Sequence, residues 1–473
     1  MLHRATACLA IALAVTPFAR AQEGGLTTEF GFTQSLRYDD NPDFVADPDE
    51  GSFISRTDLS FNLASRTRSQ SLRFGLSGSL RNDFNDDEED FEFERPTARL
   101  NYSIRNASTR LRANASYRRD EVERSFFRLI DDPGFDDNGD GEPDPDPDPL
   151  PDDDLVDDRE LIVDQGTRET LNYGVRFETG LNAPFGTSLR LRQREVDYTD
   201  TEDPDLFDSS RTRVDARLRF RIDPTIRARL TARLIYFEAD DERETERETV
   251  AIGVGTTIDV TPRLRFTADL SADRIETERT TGDETDDGAS ASVGLVRDMP
   301  NGTISTRFSS DLTRNGQRNS LRFGRSLSLP NGSLSFNLGV TRTEDGDTNP
   351  LADLELTRDV RGGALNVSLS QNANVNDDDE DVINTRLSVG FNRQINAVSS
   401  WNASLALADT NVLQDDGDDR TRANFQVSYR REIVEDWNLA TGYEYAVSNR
   451  ENQDDRTSNV VFLNLERQFN FRP

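Results

Sequence analysis

The sequence predicts an all-β protein, a transmembrane up-and-down antiparallel β-barrel of about 22 strands, with 20 to 24 compatible with the pattern. Apolar and polar residues alternate along most of the chain, as in strands with one apolar face. Long acidic connections alternate with short turns, which is typical of barrels with long extracellular loops and short periplasmic turns. No apolar run of about 18 residues follows the N-terminal segment, so membrane-spanning helices are not expected.

The clearest hairpin runs from Ser209 to Glu242. Its two arms are joined by a tight Asp223–Pro224 corner, and in each arm apolar residues fall on even positions while arginines fall on odd ones. A helix would scatter these residues around its circumference, whereas a strand separates them onto two faces. Each arm exceeds the roughly 9–11 residues that a tilted strand needs to cross a bilayer.

The composition by itself indicates a soluble or disordered protein. The net charge is -33 and only 34% of residues are hydrophobic. A barrel needs apolar residues only at alternate strand positions, so its average hydropathy stays low. The composition is therefore compatible with a barrel.

Residues 1–21 are predicted to be a secretory signal peptide, and residues 22–473 the barrel. Arg4 precedes an apolar stretch from Ala7 to Val15, and Ala19-Arg20-Ala21 resembles a cleavage site. Cleavage would remove the only Cys and the only His. The mature chain would then lack a disulfide, a thiolate metal site and a His-based general base, so we do not expect an enzyme.

The connections predict the strand number. Eleven long connections alternate with ten short ones, giving 22 strands with both termini in the periplasm. The longest, the predicted extracellular loop 128–167, is strongly acidic. Two short turns repeat the same corner, Pro300-Asn301-Gly302 and Pro330-Asn331-Gly332, in which Pro presets φ and Gly tolerates positive φ.

The last strand carries a family resemblance. Leu463, Leu465, Phe469 and Phe471 alternate with polar residues, and this segment resembles the closing strand of Gram-negative outer-membrane barrels, which the barrel assembly machinery reads. Over nearly the whole mature chain the layout resembles the putative β-barrel porin-2 family. The resemblance implies a location in the cell outer membrane, in contact with its lipid and lipopolysaccharide.

A barrel of 22 strands has the size of the plugged outer-membrane transporters. In those transporters the plug precedes the barrel, whereas the first predicted strand here begins at Leu26, within a few residues of the predicted cleavage site. The expectation is a barrel with no plug domain. Its lumen would be open or narrowed by the loop 131–164.

Eleven arginines on three adjacent strands fall on the predicted lumen face. Like charges directly opposed across a sheet are destabilising, so they need partners. One interpretation is pairing with Asp215, Asp269, Asp273 and acidic loop residues. The other is a basic stripe that attracts anionic solutes or acidic polysaccharide. The arginines are Arg190, Arg192, Arg194, Arg211, Arg213, Arg217, Arg219, Arg221, Arg227, Arg229 and Arg233.

The longest loop contains a candidate Ca²⁺ site. Asp136, Asn138, Asp140 and Asp144 follow the spacing of oxygen ligands in calcium loops, with a Gly at the sharp turn, and resemble the calcium repeats of thrombospondin type 3. The alternative is a solvated acidic loop rich in Pro. Ca²⁺ or Mg²⁺ is also expected to bridge the acidic loops to lipopolysaccharide phosphates. No cofactor is required.

These features predict an outer-membrane porin-like channel for hydrophilic, anionic solutes. The first alternative is an export conduit for acidic exopolysaccharide or capsule, favoured by an arc of Asn, Gln and Ser on the lumen face of the later strands. The second is a structural or adhesive surface barrel with Ca²⁺-binding loops. No nucleic-acid partner is predicted.

Overall fold

In the computed structural model the chain forms one antiparallel sheet that closes on itself. The structure describes residues 25–48, 51–84, 92–122, 161–344, 346, 348–376, 379–413, 419–451 and 453–471. The strands of these residues are β1 Leu26–Asp39, β2 Ser52–Arg66, β3 Gln70–Asp83, β4 Glu92–Arg105, β5 Thr109–Glu121, β6 Thr167–Thr179, β7 Phe185–Thr199, β8 Ser209–Arg221, β9 Ile226–Ala239, β10 Glu246–Thr261, β11 Leu264–Glu278, β12 Glu284–Met299, β13 Gly302–Thr313, β14 Gly316–Leu329, β15 Gly332–Arg342, β16 Thr348–Val360, β17 Gly363–Val375, β18 Asp381–Asn396, β19 Ser399–Val412, β20 Arg420–Val434, β21 Trp437–Arg450 and β22 Arg456–Phe471.

Each strand pairs with its neighbours in the sequence, and the first pairs with the last. β1 lies against β22 from the pair Thr28–Phe471 to the pair Asp39–Val460. This pairing leaves no edge strand among the described residues, so backbone groups that would otherwise face hydrocarbon are hydrogen-bonded. The described residues form 22 strands, the number predicted from the connections.

The long connections share one end of the barrel and the short turns the other, because every strand reverses the direction of the one before. In outer-membrane barrels the long loops are extracellular. Within the part of the chain that the structure describes, no helix has the length and apolar character of a membrane span.

The two faces of the sheet differ as the alternation predicts. On the apolar face, Leu218, Leu230 and Leu234 are 37%, 44% and 41% exposed. On the other face of the same strands, Arg213 is 2% exposed. The apolar face is therefore the outer, lipid-facing one, and the arginines point into the lumen. A small buried apolar cluster of Val122, Ile162 and Leu206 lies near the extracellular loops.

The repeated Pro-Asn-Gly corners form tight periplasmic turns. Gly302 and Gly332 have φ of 132° and 138°, a region that side chains rarely adopt. The Asp223 corner is built differently. Its carboxylate accepts hydrogen bonds from the Thr225 hydroxyl and from the backbone N–H groups of Thr225 and Ile226, and these bonds lower the pKa of Asp223.

Replacing Gly302 by Ala should destabilise the barrel. A Cβ at this position would collide with the backbone carbonyl oxygen of Ser326, and the positive φ adds strain. We expect Gly302→Ala to lower the free energy of unfolding by about 1–3 kcal/mol, measured by urea unfolding in lipid vesicles. Gly390→Ala is the control, because a Cβ at Gly390 meets no atom within 4 Å. An equal effect of both variants would contradict this account of the turn.

Candidate functional site

The eleven predicted arginines form one continuous patch on the inner face. Direct cross-strand partners share a face, and the register places Arg190 beside Asp215, Asp215 beside Arg233, and Arg192 beside Arg213. We call this patch the arginine wall. It comprises Arg190, Arg192 and Arg194 on β7, Arg211, Arg213, Arg217, Arg219 and Arg221 on β8, and Arg227, Arg229 and Arg233 on β9.

Within the wall, arginines oppose arginines directly. Arg192 faces Arg213 and Arg194 faces Arg211 across β7 and β8. Arg219 faces Arg229 across β8 and β9, and Arg221 faces Arg227. Opposed like charges destabilise a sheet, so negative charge must come from neighbouring elements or from a bound anion.

Three carboxylates supply part of that charge. The Asp215 carboxylate accepts hydrogen bonds from Arg213 Nε at 2.9 Å and Arg233 Nε at 3.0 Å. Asp269 on β11 binds Arg229 bidentately, with Nε–Oδ1 of 3.0 Å and Nη2–Oδ2 of 2.7 Å.

The third carboxylate, Asp259 on β10, lies 3.3 Å from Arg227 Nη2 and was not anticipated from the sequence. Asp273 instead accepts a hydrogen bond from Ser271 at 3.1 Å. Asp259 lies two positions before the end of β10, near a periplasmic turn, and only the register of β10 against β9 brings it near Arg227.

The wall is rich in arginine. Its own inward positions hold eleven arginines and one carboxylate, Asp215. Arg219 keeps a buried Nη2 with no hydrogen-bond partner among the described residues. Guanidinium groups are permanently charged and bind carboxylate or phosphate oxygens in pairs, so the wall is suited to an anionic ligand.

One loop crosses the extracellular mouth. Asp203 and Asp205 belong to the loop 200–208, which follows β7. Their partners are on the far side of the ring of strands: Arg420 Nη2 lies 2.8 Å from Asp205, and Arg450 Nη1 lies 2.7 Å from Asp203. A second Arg450 nitrogen lies 3.2 Å from Asp205. We call these ion pairs the cross-lumen bridge.

The segment 161–166 reinforces the cross-lumen bridge. Arg422 donates to the Ile162 carbonyl oxygen at 3.1 Å, and Arg456 donates to the Val163 carbonyl oxygen at 2.8 Å. The Asp164 carboxylate accepts hydrogen bonds from two backbone N–H groups of the loop 200–208, at 2.6 and 2.9 Å. The segment and the loop are thereby joined to each other and to β20 and β22.

Ion pairs also hold a second loop, the connection after β17, at the extracellular mouth. The Asp379 carboxylate, in the connection after β17, is shared by Arg247 at 3.4 Å, Arg314 at 2.9 Å and Arg279. Arg247 belongs to β10, seven strands earlier. Asp379 has a φ of 63°, uncommon for a residue with a side chain. Ion-paired loops thus narrow the lumen at two places.

Three predicted features lie outside the described residues. They are the signal peptide 1–21, most of the loop 128–167, and the candidate Ca²⁺ ligands Asp136, Asn138, Asp140 and Asp144. Within the described ranges, no group of three or more Asp, Glu, His or Cys residues is arranged to hold a metal ion. The calcium site stays a prediction.

Three solved structures with the same architecture illustrate the match. The ferric-catecholate import receptor Fiu from E. coli K12 matches with a TM-score of 0.55 and 11% identity, over 93% of this chain and 81% of that chain. The FrpB iron transporter from Neisseria meningitidis matches with a TM-score of 0.54 and 8% identity, over the same shares. BauA, the ferric preacinetobactin receptor from Acinetobacter baumannii, matches with a TM-score of 0.52 and 10% identity, over 94% and 80%.

No protein-family model and no curated protein sequence matches this chain. At identities of 8–11%, the solved structures establish the fold alone. That fold is an outer-membrane β-barrel, as expected. The finer resemblance to the porin-2 family has no support from these comparisons. The matched structures are transport receptors and a transporter, in agreement with a chain that is not an enzyme.

The prediction of a barrel without a plug domain is wrong. The matched barrels belong to the class of 22-stranded outer-membrane transporters, whose lumen is plugged because side chains alone cannot fill so wide a ring. About a fifth of the matched Fiu chain lies outside the match. The described residues of this chain comprise barrel strands and their connections, and the position of the first strand was not a sound basis for excluding a plug.

The predicted function of a porin-like channel is also wrong. The matched structures are named as a ferric-catecholate import receptor, a ferric preacinetobactin receptor and an iron transporter, and none of these three is named as a porin. The ion-paired loops across the mouth agree with this correction. The alternatives, an export conduit for polysaccharide and an adhesive barrel, are set aside with it.

Removing the Asp215 charge should destabilise the barrel. Asp215→Asn leaves Arg213 and Arg233 facing a neutral amide, and we expect the free energy of unfolding to fall by about 1–3 kcal/mol. Asp273→Asn is the control, because Asp273 has no ion pair among the described residues and should change stability by less than about 0.5 kcal/mol. Urea unfolding in vesicles measures both. A loss at Asp273 as large as that at Asp215 would refute the role given to Asp215.

Breaking the cross-lumen bridge should mobilise the loop 200–208. Asp203→Asn with Asp205→Asn removes three partly exposed ion pairs, and we expect amide hydrogen exchange in this loop to rise about tenfold. The control pairs Asp200→Asn with Glu202→Gln, in the same loop, whose side chains form no ion pair with described residues. Unchanged exchange in the bridge variant would show that the ion pairs do not hold the loop.

Proposed function

We propose that this chain is an outer-membrane receptor that takes up a specific anionic ligand, of the class of ferric chelates, through its lumen. The observation that carries the proposal is the arginine wall on the inner face of a 22-stranded barrel. The matched structures with this fold are receptors for ferric catecholate and ferric preacinetobactin, and an iron transporter.

The chemistry of the wall fits such a ligand. Complexes of Fe³⁺ with catecholate groups carry net negative charge and present pairs of oxygens. Each guanidinium offers a planar fork of N–H donors that matches paired oxygens. The directly opposed pairs Arg192–Arg213 and Arg194–Arg211 place several such forks close together on one surface.

The mouth supports selective uptake. The cross-lumen bridge and the Asp379 cluster hold loops over the entrance, so a ligand has to displace or rearrange them before it enters. A ligand that carries its own carboxylates or catecholates competes for the same arginines. Exchange of ion-pair partners thus favours anionic ligands over neutral ones of equal size.

The proposed surroundings follow from the location. The outer face contacts outer-membrane lipid and lipopolysaccharide, and the closing strand β22 is the segment that the barrel assembly machinery would read. The acidic loops face lipopolysaccharide phosphates, and bound Ca²⁺ or Mg²⁺ would offset the repulsion between them.

The proposal is tested by uptake of radiolabelled iron in cells that express the chain. The probes are an anionic ferric tris-catecholate complex and a neutral ferric tris-hydroxamate complex. We expect uptake of the anionic complex, and a fall in its affinity of about tenfold or more in the variant Arg192→Gln with Arg194→Gln.

The matched control is Arg119→Gln with Arg274→Gln, which removes two charges from the outer face and should leave affinity unchanged. Gel mobility of boiled and unboiled samples verifies that both variants form the barrel. Equal uptake of the neutral complex, or no loss of affinity in the lumen variant, would overturn the proposal.

A further inference from the structure

A second set of arginines lies on the outer face, near the ends of strands that run toward the short turns. Every even-numbered strand from β12 to β22 has one such residue, two to four positions before its end. We call this set the outer arginine belt. It consists of Arg297, Arg325, Arg358, Arg393, Arg431 and Arg467.

The outward direction follows from the alternation. Arg297 is two positions after Leu295 and Arg325 is two positions after Phe323, and both apolar side chains are on the lipid-facing surface, 46% and 48% exposed. Arg393 is the direct cross-strand partner of Trp401, which is 45% exposed on the same face. Arginine therefore directly follows the apolar band.

The register keeps neighbouring members of the belt near one level. The row of paired residues through Arg393 continues through Trp401 to Tyr429, two positions before Arg431. The row through Arg431 continues through Leu439 to Leu465, two positions before Arg467. Because the strands of a barrel are tilted, a row of paired residues changes height as it passes from strand to strand. A shift of about one residue per strand along the chain compensates for this change in height.

The outer arginine belt differs from the arginine wall in its ion pairing. Among the described residues, no carboxylate forms an ion pair with any of its six members. Arg325 donates to the Asn301 side chain at 2.7 Å. Arg467 stacks on Trp437 and Phe469, with its guanidinium carbon 5.1 and 4.3 Å from the ring centroids. The arginine wall, in contrast, is partly neutralised by Asp215, Asp259 and Asp269.

The outer arginine belt covers half of the circumference. On β2, β4, β6, β8 and β10 the corresponding outward positions near the strand ends hold Ser65, Ile104, Thr179, Ile222 and Val260. If the arginines served only a general electrostatic role in this fold, both halves of the barrel would carry them. A row of cations confined to one arc, at the interface where aromatic side chains also lie, indicates a ligand on that arc.

We propose that the outer arginine belt binds the phosphate groups of anionic phospholipids in the periplasmic leaflet. The short-turn end of an outer-membrane barrel is periplasmic, so the belt lies at the headgroup level of that leaflet. Unpaired guanidinium groups and anionic headgroups are complementary in charge, and the adjacent aromatic rings contact the upper acyl chains. The inference rests on the outer-membrane location and is independent of the ligand in the lumen.

The test uses the full chain purified in a neutral detergent and titrated with equal amounts of phosphatidylglycerol and phosphatidylcholine. Native mass spectrometry counts the retained lipids. We expect the wild-type chain to retain phosphatidylglycerol preferentially. The belt variant carries Arg297→Gln, Arg358→Gln, Arg393→Gln and Arg431→Gln, and these four side chains have no hydrogen bond, ion pair or ring contact with described residues. Its preference should fall by about fivefold or more.

The control variant removes the same charge from the same end of the barrel, through Arg66→Gln, Arg68→Gln, Arg105→Gln and Arg263→Gln, which lie in turns or on the inner face. It should keep the lipid preference. Heat-dependent gel mobility verifies that both variants are folded. The proposal would be overturned if the wild-type chain retained the two lipids equally, or if the control variant lost as much of the lipid preference as the belt variant. Replacement of phosphatidylglycerol by added lipopolysaccharide would overturn it as well. Uptake of the ferric probe is measured separately, so failure of either proposal is recognised on its own.

Discussion

Every other feature of this protein depends on one requirement, that each backbone N–H and C=O group facing hydrocarbon be hydrogen-bonded within the protein. An open sheet leaves two edges unsatisfied. The pairing of β1 with β22 removes both edges, and it joins residues from the two ends of the described chain. Once the ring is closed, each side chain must face either lipid or the lumen, and the alternation along every strand follows from that choice.

Closure places many charged side chains in the lumen, where they need partners of opposite charge. Arginines of β7–β9 stand opposite one another, and carboxylates of β8, β10 and β11 pair with some of them. Asp269 reaches Arg229 from 40 positions away in the sequence, and Asp205 reaches Arg420 across 215 positions. A separate set of ion pairs, made by Asp203, Asp205 and Asp379, holds loops over the mouth.

Strands and connections were predictable because their signal is local. Alternation with period two needs only a few neighbouring residues, and the acidic loops and Pro-Asn-Gly turns delimit each strand. Even a weakly marked connection keeps the pattern: a two-residue turn separates β13 from β14.

The site was predictable only in part. The alternation placed the arginines of β7–β9 on one face, and Asp215 and Asp269 pair with them as one of the two interpretations expected. Asp259 was missed because its pairing depends on the register of β10 against β9. The cross-lumen bridge was missed because no local pattern connects a loop with a strand on the far side of the ring. The error about the plug came from reasoning about where the first strand begins, which carries no information about what fills the lumen.

The sequence alone determined the kind of element, the number of strands and the two faces of each strand, because these depend on the chemistry of adjacent side chains. Only the tertiary structure decided which charges meet. Ring closure brings together residues that lie far apart in the sequence, as in the contacts of Asp379 with Arg247, Arg279 and Arg314. It also aligns single arginines of alternate strands into the outer arginine belt, which no single segment of the sequence indicates. Contact between distant residues depends on strand register and tilt, and neither quantity is set by any one stretch of the chain.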